Sequence, residues 1–315
     1  MRGNTGTKVG VIGLGAMGNG MAQSLRRAGY NVHVFDVRAE VAKKFSTGGG
    51  TACASLAELG AACEVVFSVV VNAEQTESVL FGTRNGSDNG SSSAGVAATM
   101  KPGSVFAMCS TVAPALAVDF EQRVTEQGLL FLDSPISGGA ARAASGELTM
   151  MTAGPPAAYD KCEAMLNSMA AKVYKLGSAA PAGTTVKMIN QLLAGVHIAA
   201  AAEAMALGIK AGADPAMLYE VISNSAGSSW MFQNRVPHIL AGDYTPLSAV
   251  NIFIKDLGIV LDSARKLPFP LPLTSSAHQM YLAAAAHGHG LEDDSAVIKM
   301  FAALTGIALP EGKAK

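Results

Sequence analysis

Residues 8–36 read KVGVIGLGAMGNGMAQSLRRAGYNVHVFD, and the organisation of the whole chain follows from this stretch. Lys8 to Ile12 is a short apolar run with the look of a strand. Three glycines follow at the spacing G-x-G-x-x-G: Gly13-Leu14-Gly15-Ala16-Met17-Gly18. Met17 to Ala28 has helical periodicity, with Gly29 placed to end the helix. Asn31 to Asp36 is a second strand. A strand, a glycine turn, a helix and a second strand ending in an acid eighteen residues past Gly18 make the full setting of a dinucleotide-binding turn. Gly13 permits the tight turn and Gly15 the approach of a pyrophosphate to backbone N–H groups at a helix N-terminus. Gly18 allows close packing of helix on strand. Asp36 suits the ribose hydroxyls, and its charge opposes a 2′-phosphate, which favours NAD. Arg38, two residues on, is the feature that favours NADP.

Outward from this unit the same alternation continues. Val65 to Val71 is a nearly unbroken β-branched run, as in a strand covered on both faces. Ser104 to Cys109 and Leu129 to Asp133 read as further strands. Helical stretches fall between them, around Leu56 to Leu59, Gln75 to Leu80 and Leu116 to Gln127. Repeated βαβ units predict a doubly wound parallel sheet of the Rossmann type. Residues 83–97 (TRNGSDNGSSSAGVA) break the pattern and read as a mobile surface loop.

The chain changes character near Gly177 to Pro181. Ala182 to about Ala211 reads as one long helix, apolar nearly all round and so expected to be covered by other helices or by a second subunit. The stretches after it all have helical spacing. The expected domains are residues 1–180, a dinucleotide-binding α/β domain, and 181–315, an all-helical domain serving substrate and oligomer contacts.

Composition removes several classes of function. Of 315 residues, 50% are hydrophobic and 15% charged, which excludes disorder. The 23 basic and 24 acidic residues give a net charge of −1, which argues against nucleic acid and against a polybasic membrane contact. Cys53, Cys63, Cys109 and Cys162 have no C-x-x-C or metal-type spacing and read as reduced thiols of a cytoplasmic protein. The six histidines form no ligand set, so no metal is expected.

Four motifs in order resemble the β-hydroxyacid dehydrogenases, the 3-hydroxyisobutyrate dehydrogenase-like family. They are the loop Gly13–Gly18, Asp133-Ser-Pro-Ile-Ser-Gly-Gly139, Gly183-Thr-Thr-Val-Lys-Met-Ile-Asn190 and Lys255-Asp-Leu257. The resemblance spans Val9 to about Leu304. It implies that Ser137, Gly138 and Gly139 cradle a substrate carboxylate, and that Lys187 is the general acid/base. Asn190, on the same helix face three residues on, orients the substrate. Without that pattern, Lys187 reads as a lysine reaching the surface near a helix end, which is the commoner case. The resemblance also places Lys255 near the nicotinamide and brings Ser110 and Thr111 to the cofactor. It implies NAD-dependent oxidation of the β-hydroxyl of a small hydroxy acid by a homodimer or homotetramer. The alternatives are a 3-hydroxyisobutyrate or tartronate semialdehyde enzyme and a silent dinucleotide-binding assembly module. Ser225, Ser228, Ser229, Asn234 and Asn251 favour a polyhydroxylated acid such as L-threonate, although the same side chains serve equally as helix caps.

Overall fold

A computed structural model describes residues 6–83 and 93–311. The described strands are β1 (Lys8–Ile12), β2 (Asn31–Phe35), β3 (Thr51–Ala52), β4 (Val65–Ser68), β5 (Gly82–Thr83) and β6 (Ser93–Ala94), followed by β7 (Val105–Met108), β8 (Leu130–Asp133), β9 (Ile136–Ser137), β10 (Leu148–Ala153) and β11 (Ala170–Gly177). The main sheet runs β11-β10-β8-β7-β4-β1-β2-β3, with β9 beside β10. β1 lies between β4 and β2, so the winding reverses there, and the crevice beyond the ends of β1 and β4 is where such sheets bind ligands.

The central strands carry apolar side chains on both faces because helices cover both. Val65, Val66, Phe67 and Ser68 are all buried, and so are Val105 to Met108. One face packs on Met21, Leu25 and Leu166, and the other on Leu59, Leu80 and Phe120. Helix Ala16–Arg27 presents Met21, Ala22 and Leu25 to the core, with Arg26 and Arg27 in its last turn, where the helix dipole favours cations.

The sheet is not uniformly parallel, contrary to the sequence expectation. β10 runs antiparallel to β8, and β9 and β10 pair antiparallel through Thr149↔Ser137 and Met150↔Ile136. The hairpin fixes the direction of β10. β11 then returns parallel to it, after helix Pro156–Met169. The run Val65–Val71 is strand only as far as Ser68. Within 83–97 the expectation of a plain loop also fails for the described part. Gly82↔Ala94 pair as strands, and Val96 and Ala97 are buried in a short 3₁₀ turn, Val96–Ala98. Residues 84–92 lie outside the described residues.

The chain divides into two compact units between Lys187 and Met188, inside the long helix Ala182–Lys210. The second unit is helical. The later part of the long helix packs Ile198, Ala202 and Met205 with Phe232, Val236, Phe253, Leu257 and Tyr281. The rings of Phe253 and Tyr281 stack at 5.4 Å, and the Tyr281 hydroxyl donates to the Gly195 carbonyl at 2.9 Å. Arg235, itself buried, donates to the buried carboxylate of Asp294 at 2.6 and 3.1 Å. By length and composition alone the long helix could cross a membrane; here Ile198, Ala202 and Met205 lie in the core of this unit, whereas Ile189, Leu193 and Leu207 are exposed. All four cysteines are buried and unpaired. Burial pushes the thiol of Cys53 up to about 11 and those of Cys63, Cys109 and Cys162 up to about 12.

Candidate functional site

The three glycines of the turn after β1 are required for two different reasons. Gly13 has φ +87°, and a Cβ there would lie 2.4 Å from the Val69 carbonyl oxygen. A Cβ on Gly18 would lie 1.9 Å from the Gly13 carbonyl oxygen. Both are demanded by the protein's own backbone. Gly15 is not, since no atom lies within 4 Å of the place its Cβ would take. Gly15 caps helix Ala16–Arg27, whose first turn carries no acidic residue. Its bareness therefore leaves clear space in front of the helix N-terminus, which suits a pyrophosphate. Leu14 is buried, whereas Gly15 and Ala16 are exposed and Met17 is partly so.

Asp36, at the end of β2, accepts the Leu14 N–H at 2.7 Å and the Arg38 N–H at 2.9 Å. The Arg38 guanidinium also meets it, at 3.1 Å. Burial pushes the Asp36 carboxyl up, but the bonds from Arg38 and Leu14 outweigh it and hold the group below its ordinary value. A cavity of ≈ 600 Å³ adjoins this end, lined among others by Gly15, Arg26, Arg38, Lys44 and Phe45. Its size suits a nucleoside. Turn, acid and cavity together fit the adenosine and pyrophosphate of a dinucleotide.

The other loops at this sheet edge belong to the same unit. Beyond β4, the Asn72 side chain caps helix Ala73–Phe81 by accepting the Gln75 N–H at 2.9 Å. Beyond β7, the Ser110 hydroxyl is buried and accepts a hydrogen bond from Thr76 at 3.0 Å, and Thr111 is partly exposed. Beyond β8 comes the turn of Ser137, Gly138 and Gly139. Gly138 has φ +133° and Gly139 φ +75°, and nothing lies within 4 Å of a Cβ placed on Gly139. That turn presents backbone on an open side.

Lys187 is 7% exposed, in the second turn of the long helix. A buried lysine this close to a helix start is not a surface lysine, which removes the plain reading of it. Three residues earlier, Thr184 is held by Asp133 at the end of β8. Its N–H donates to Oδ2 at 2.8 Å and its hydroxyl to Oδ1 at 2.6 Å. Burial pushes the Asp133 carboxyl up to about 6 in spite of these bonds.

In the second unit a polar chain links the remaining residues. The Asn190 amide donates to Gln191 Oε1 at 3.0 Å, and Gln191 Nε2 donates to Asp256 Oδ2 at 2.5 Å. Lys255 Nζ meets Asp256 Oδ1 at 2.5 Å. Asp256 is 2% exposed, so this is not the solvated surface pair that Lys-Asp in sequence suggests. Four of the five polar residues read as suiting a hydroxyl-rich substrate are otherwise employed, Asn234 by accepting from the Arg235 guanidinium. Ser229 caps helix Trp230–Ala241, the Ser225 hydroxyl donates to the Val221 carbonyl, and Ser228 accepts from Gln233. Trp230 is half exposed at the start of that helix. The links Asp133–Thr184 and Gln191–Asp256 have no signature in the sequence beyond an acid at a strand end and an acid beside Lys255. Among the described residues no group of three or more His, Cys, Asp or Glu is placed to hold a metal.

Comparison with known proteins extends over both units. The model of the NAD binding domain of 6-phosphogluconate dehydrogenase matches residues 8–177. That of the NAD-binding of NADP-dependent 3-hydroxyisobutyrate dehydrogenase matches residues 181–301. An L-threonate dehydrogenase from Cupriavidus necator is 62% identical over 307 residues, covering 98% of this chain and 99% of the relative. Another from Pectobacterium atrosepticum is 46% identical, covering 97% and 96%. The crystal structure of a 3-hydroxyisobutyrate dehydrogenase from Salmonella typhimurium superposes with a TM-score of 0.86 at 45% identity, over 93% of this chain and 99% of that one.

Proposed function

Because the chain belongs to the 3-hydroxyisobutyrate dehydrogenase family, and is with it an oxidoreductase acting on the CH–OH group of hydroxy acids through a nicotinamide cofactor, we propose that its substrate is L-threonate and its cofactor NAD. One observation carries the substrate: the 62% identity to an L-threonate dehydrogenase across nearly the whole of both chains. Ser225, Ser228 and Ser229 do not add to it, since all three are engaged within the protein.

The residues divide the work as follows. The turn Gly13–Gly18 and Asp36 bind the pyrophosphate and ribose, with Ser110 and Thr111 beside the cofactor and Lys255 toward its nicotinamide. The backbone N–H groups of Gly138 and Gly139, with the Ser137 hydroxyl, hold the substrate carboxylate. Asn190 orients the substrate hydroxyl, and its own amide is steadied by Gln191. Lys187 Nζ takes the proton from that hydroxyl as the C–H bond gives up hydride, and in the reverse direction returns it to the developing alkoxide. When bound, the nicotinamide supplies the hydride acceptor. Burial of Lys187 keeps water from competing for that proton.

NAD rather than NADP is supported by Asp36, a buried carboxylate whose Arg38 neighbour is bound back onto it. Arg26 and Lys44 on the cavity wall favour the second reading, NADP. A homo-oligomer is supported by Ile189, Leu193 and Leu207, large apolar side chains left exposed on the long helix. Four buried, unpaired thiols accord with a cytoplasmic location. The test is NADH or NADPH production from L-threonate, D-threonate, D-glycerate and 3-hydroxyisobutyrate. Turnover of L-threonate with NAD is expected to exceed every other pairing. Preference for 3-hydroxyisobutyrate removes the substrate, and preference for NADP the cofactor.

A further inference from the structure

Asp133 is a carboxylate with no solvent contact. Both its oxygens are taken by Thr184, 51 residues away in sequence. The bond to the Thr184 N–H satisfies one of the orphan donors in the first turn of the long helix. The bond to the Thr184 hydroxyl adds a second point and so fixes rotation about the first. The helix start fits closely here. A Cβ on Gly183 would lie 2.3 Å from the Met151 carbonyl oxygen and 3.1 Å from Asp133 Oδ2. On one side, Asp133 is followed directly by the segment that ends in the Ser137–Gly139 turn. On the other, Thr184 stands three residues before Lys187, on the same helix face.

We propose that Asp133 is a positioning residue: by gripping Thr184 it sets the rotation of the helix that carries Lys187 against the turn that carries Ser137, Gly138 and Gly139. The carboxylate does not touch substrate in this arrangement, since Thr184 occupies it. Its effect passes through Lys187, and the inference therefore rests on the role given to Lys187 above. A grip of this kind suits a proton transfer, which is lost when donor and acceptor shift by about an ångström.

The test uses the full-length protein and three variants. Thr184→Val keeps the shape and removes the hydroxyl, Thr184→Ser keeps the hydroxyl, and Asp133→Asn removes the charge if Thr184→Val folds poorly. The first reading is amide hydrogen exchange without ligand. Thr184→Val is expected to speed exchange of residues 184–190 at least tenfold, to leave residues 16–27 unchanged, and to be restored by Thr184→Ser. The second is steady-state kinetics with L-threonate and NAD. Thr184→Val is expected to lower kcat at least tenfold with the Kd for NADH within twofold, and Thr184→Ser to restore it. The third is the double variant Thr184→Val, Lys187→Ala. It should be no slower than Lys187→Ala alone, because a grip acting through Lys187 has nothing left to position; a merely structural loss would add. Unchanged exchange, or faster exchange with unchanged kcat, overturns the inference. Full turnover by Lys187→Ala overturns the reading beneath it, a result that the exchange measurement tells apart.

Discussion

Gly15 and Gly18 differ by a contact that substitution can expose. An alanine methyl at position 15 meets no atom within 4 Å, and the backbone there has φ −64°, which any residue adopts. Gly15→Ala should therefore change the unfolding free energy by no more than about 0.5 kcal/mol. Bound pyrophosphate needs the space that the methyl fills. Stretching or losing one charge-assisted hydrogen bond costs ~1.5–3 kcal/mol, which is ~10- to 150-fold in Kd. At position 18 the methyl would stand 1.9 Å from a backbone oxygen, and no flexible side chain is there to yield. Gly18→Ala should lose ~1–3 kcal/mol or more through strain, seen as a lower thermal midpoint before any ligand is added. Urea unfolding and a fluorescence titration with NADH separate the two effects. A Gly15→Ala protein that binds NADH as tightly as the parent would refute the placement of the cofactor on this turn. One that unfolds like Gly18→Ala would refute the claim that the space is free.

Three further outcomes are expected. The carboxyl of Asp133 sits at about 6, above its ordinary 3.8, so the native state holds that proton more tightly than the unfolded chain does. The stability this gives is fully present below pH 3.8 and lost as pH rises through 6, a change of about 3 kcal/mol; unfolding curves of Asp133→Asn should lack it, and parallel curves for parent and variant would sink the argument. Arg235→Met leaves buried Asp294 with no cation and should cost ~3–5 kcal/mol, whereas Arg265→Ala, at the exposed pair with Asp262, should cost under about 1 kcal/mol in the same assay. Light scattering at micromolar concentration should give a multiple of the 32.1 kDa chain mass, and a monomer mass would remove the oligomer reading of the apolar long helix.

The quoted stretch was legible because its constraints are local. A turn with φ +87° at Gly13 and with Gly18 packed on the Gly13 carbonyl five residues back needs glycine at both positions, and the alternation around it follows the period of a buried sheet. β10 and β11 were not legible. Leu148–Ala153 contains two Met and two Thr, a weak strand signal, and Lys172 to Gly177 is largely exposed at the sheet edge, where no buried face imposes alternation. Of the site, the residue types at Lys187 and Ser137–Gly139 showed in the sequence, but their supports did not. Asp133 meets Thr184, and Gln191 meets Asp256, across 51 and 65 residues, separations at which single-sequence patterns carry no information. Serine in a loop before a helix reads the same whether it caps the helix or faces a ligand, and at 225, 228 and 229 the protein's own hydrogen bonds decided it.

The burial of all four thiols gives the chain a chemically silent background. With thiols at about 11 or 12, only ~1 in 10⁴ or fewer is the reactive thiolate at pH 7, and that fraction is enclosed. Maleimide dyes will therefore ignore the native chain. A cysteine introduced at exposed Glu126 in one unit and another at exposed Leu304 in the second would take a donor and an acceptor dye without removal of any native residue. Energy transfer between them would then report, molecule by molecule, whether the two units change their separation as NADH and substrate bind.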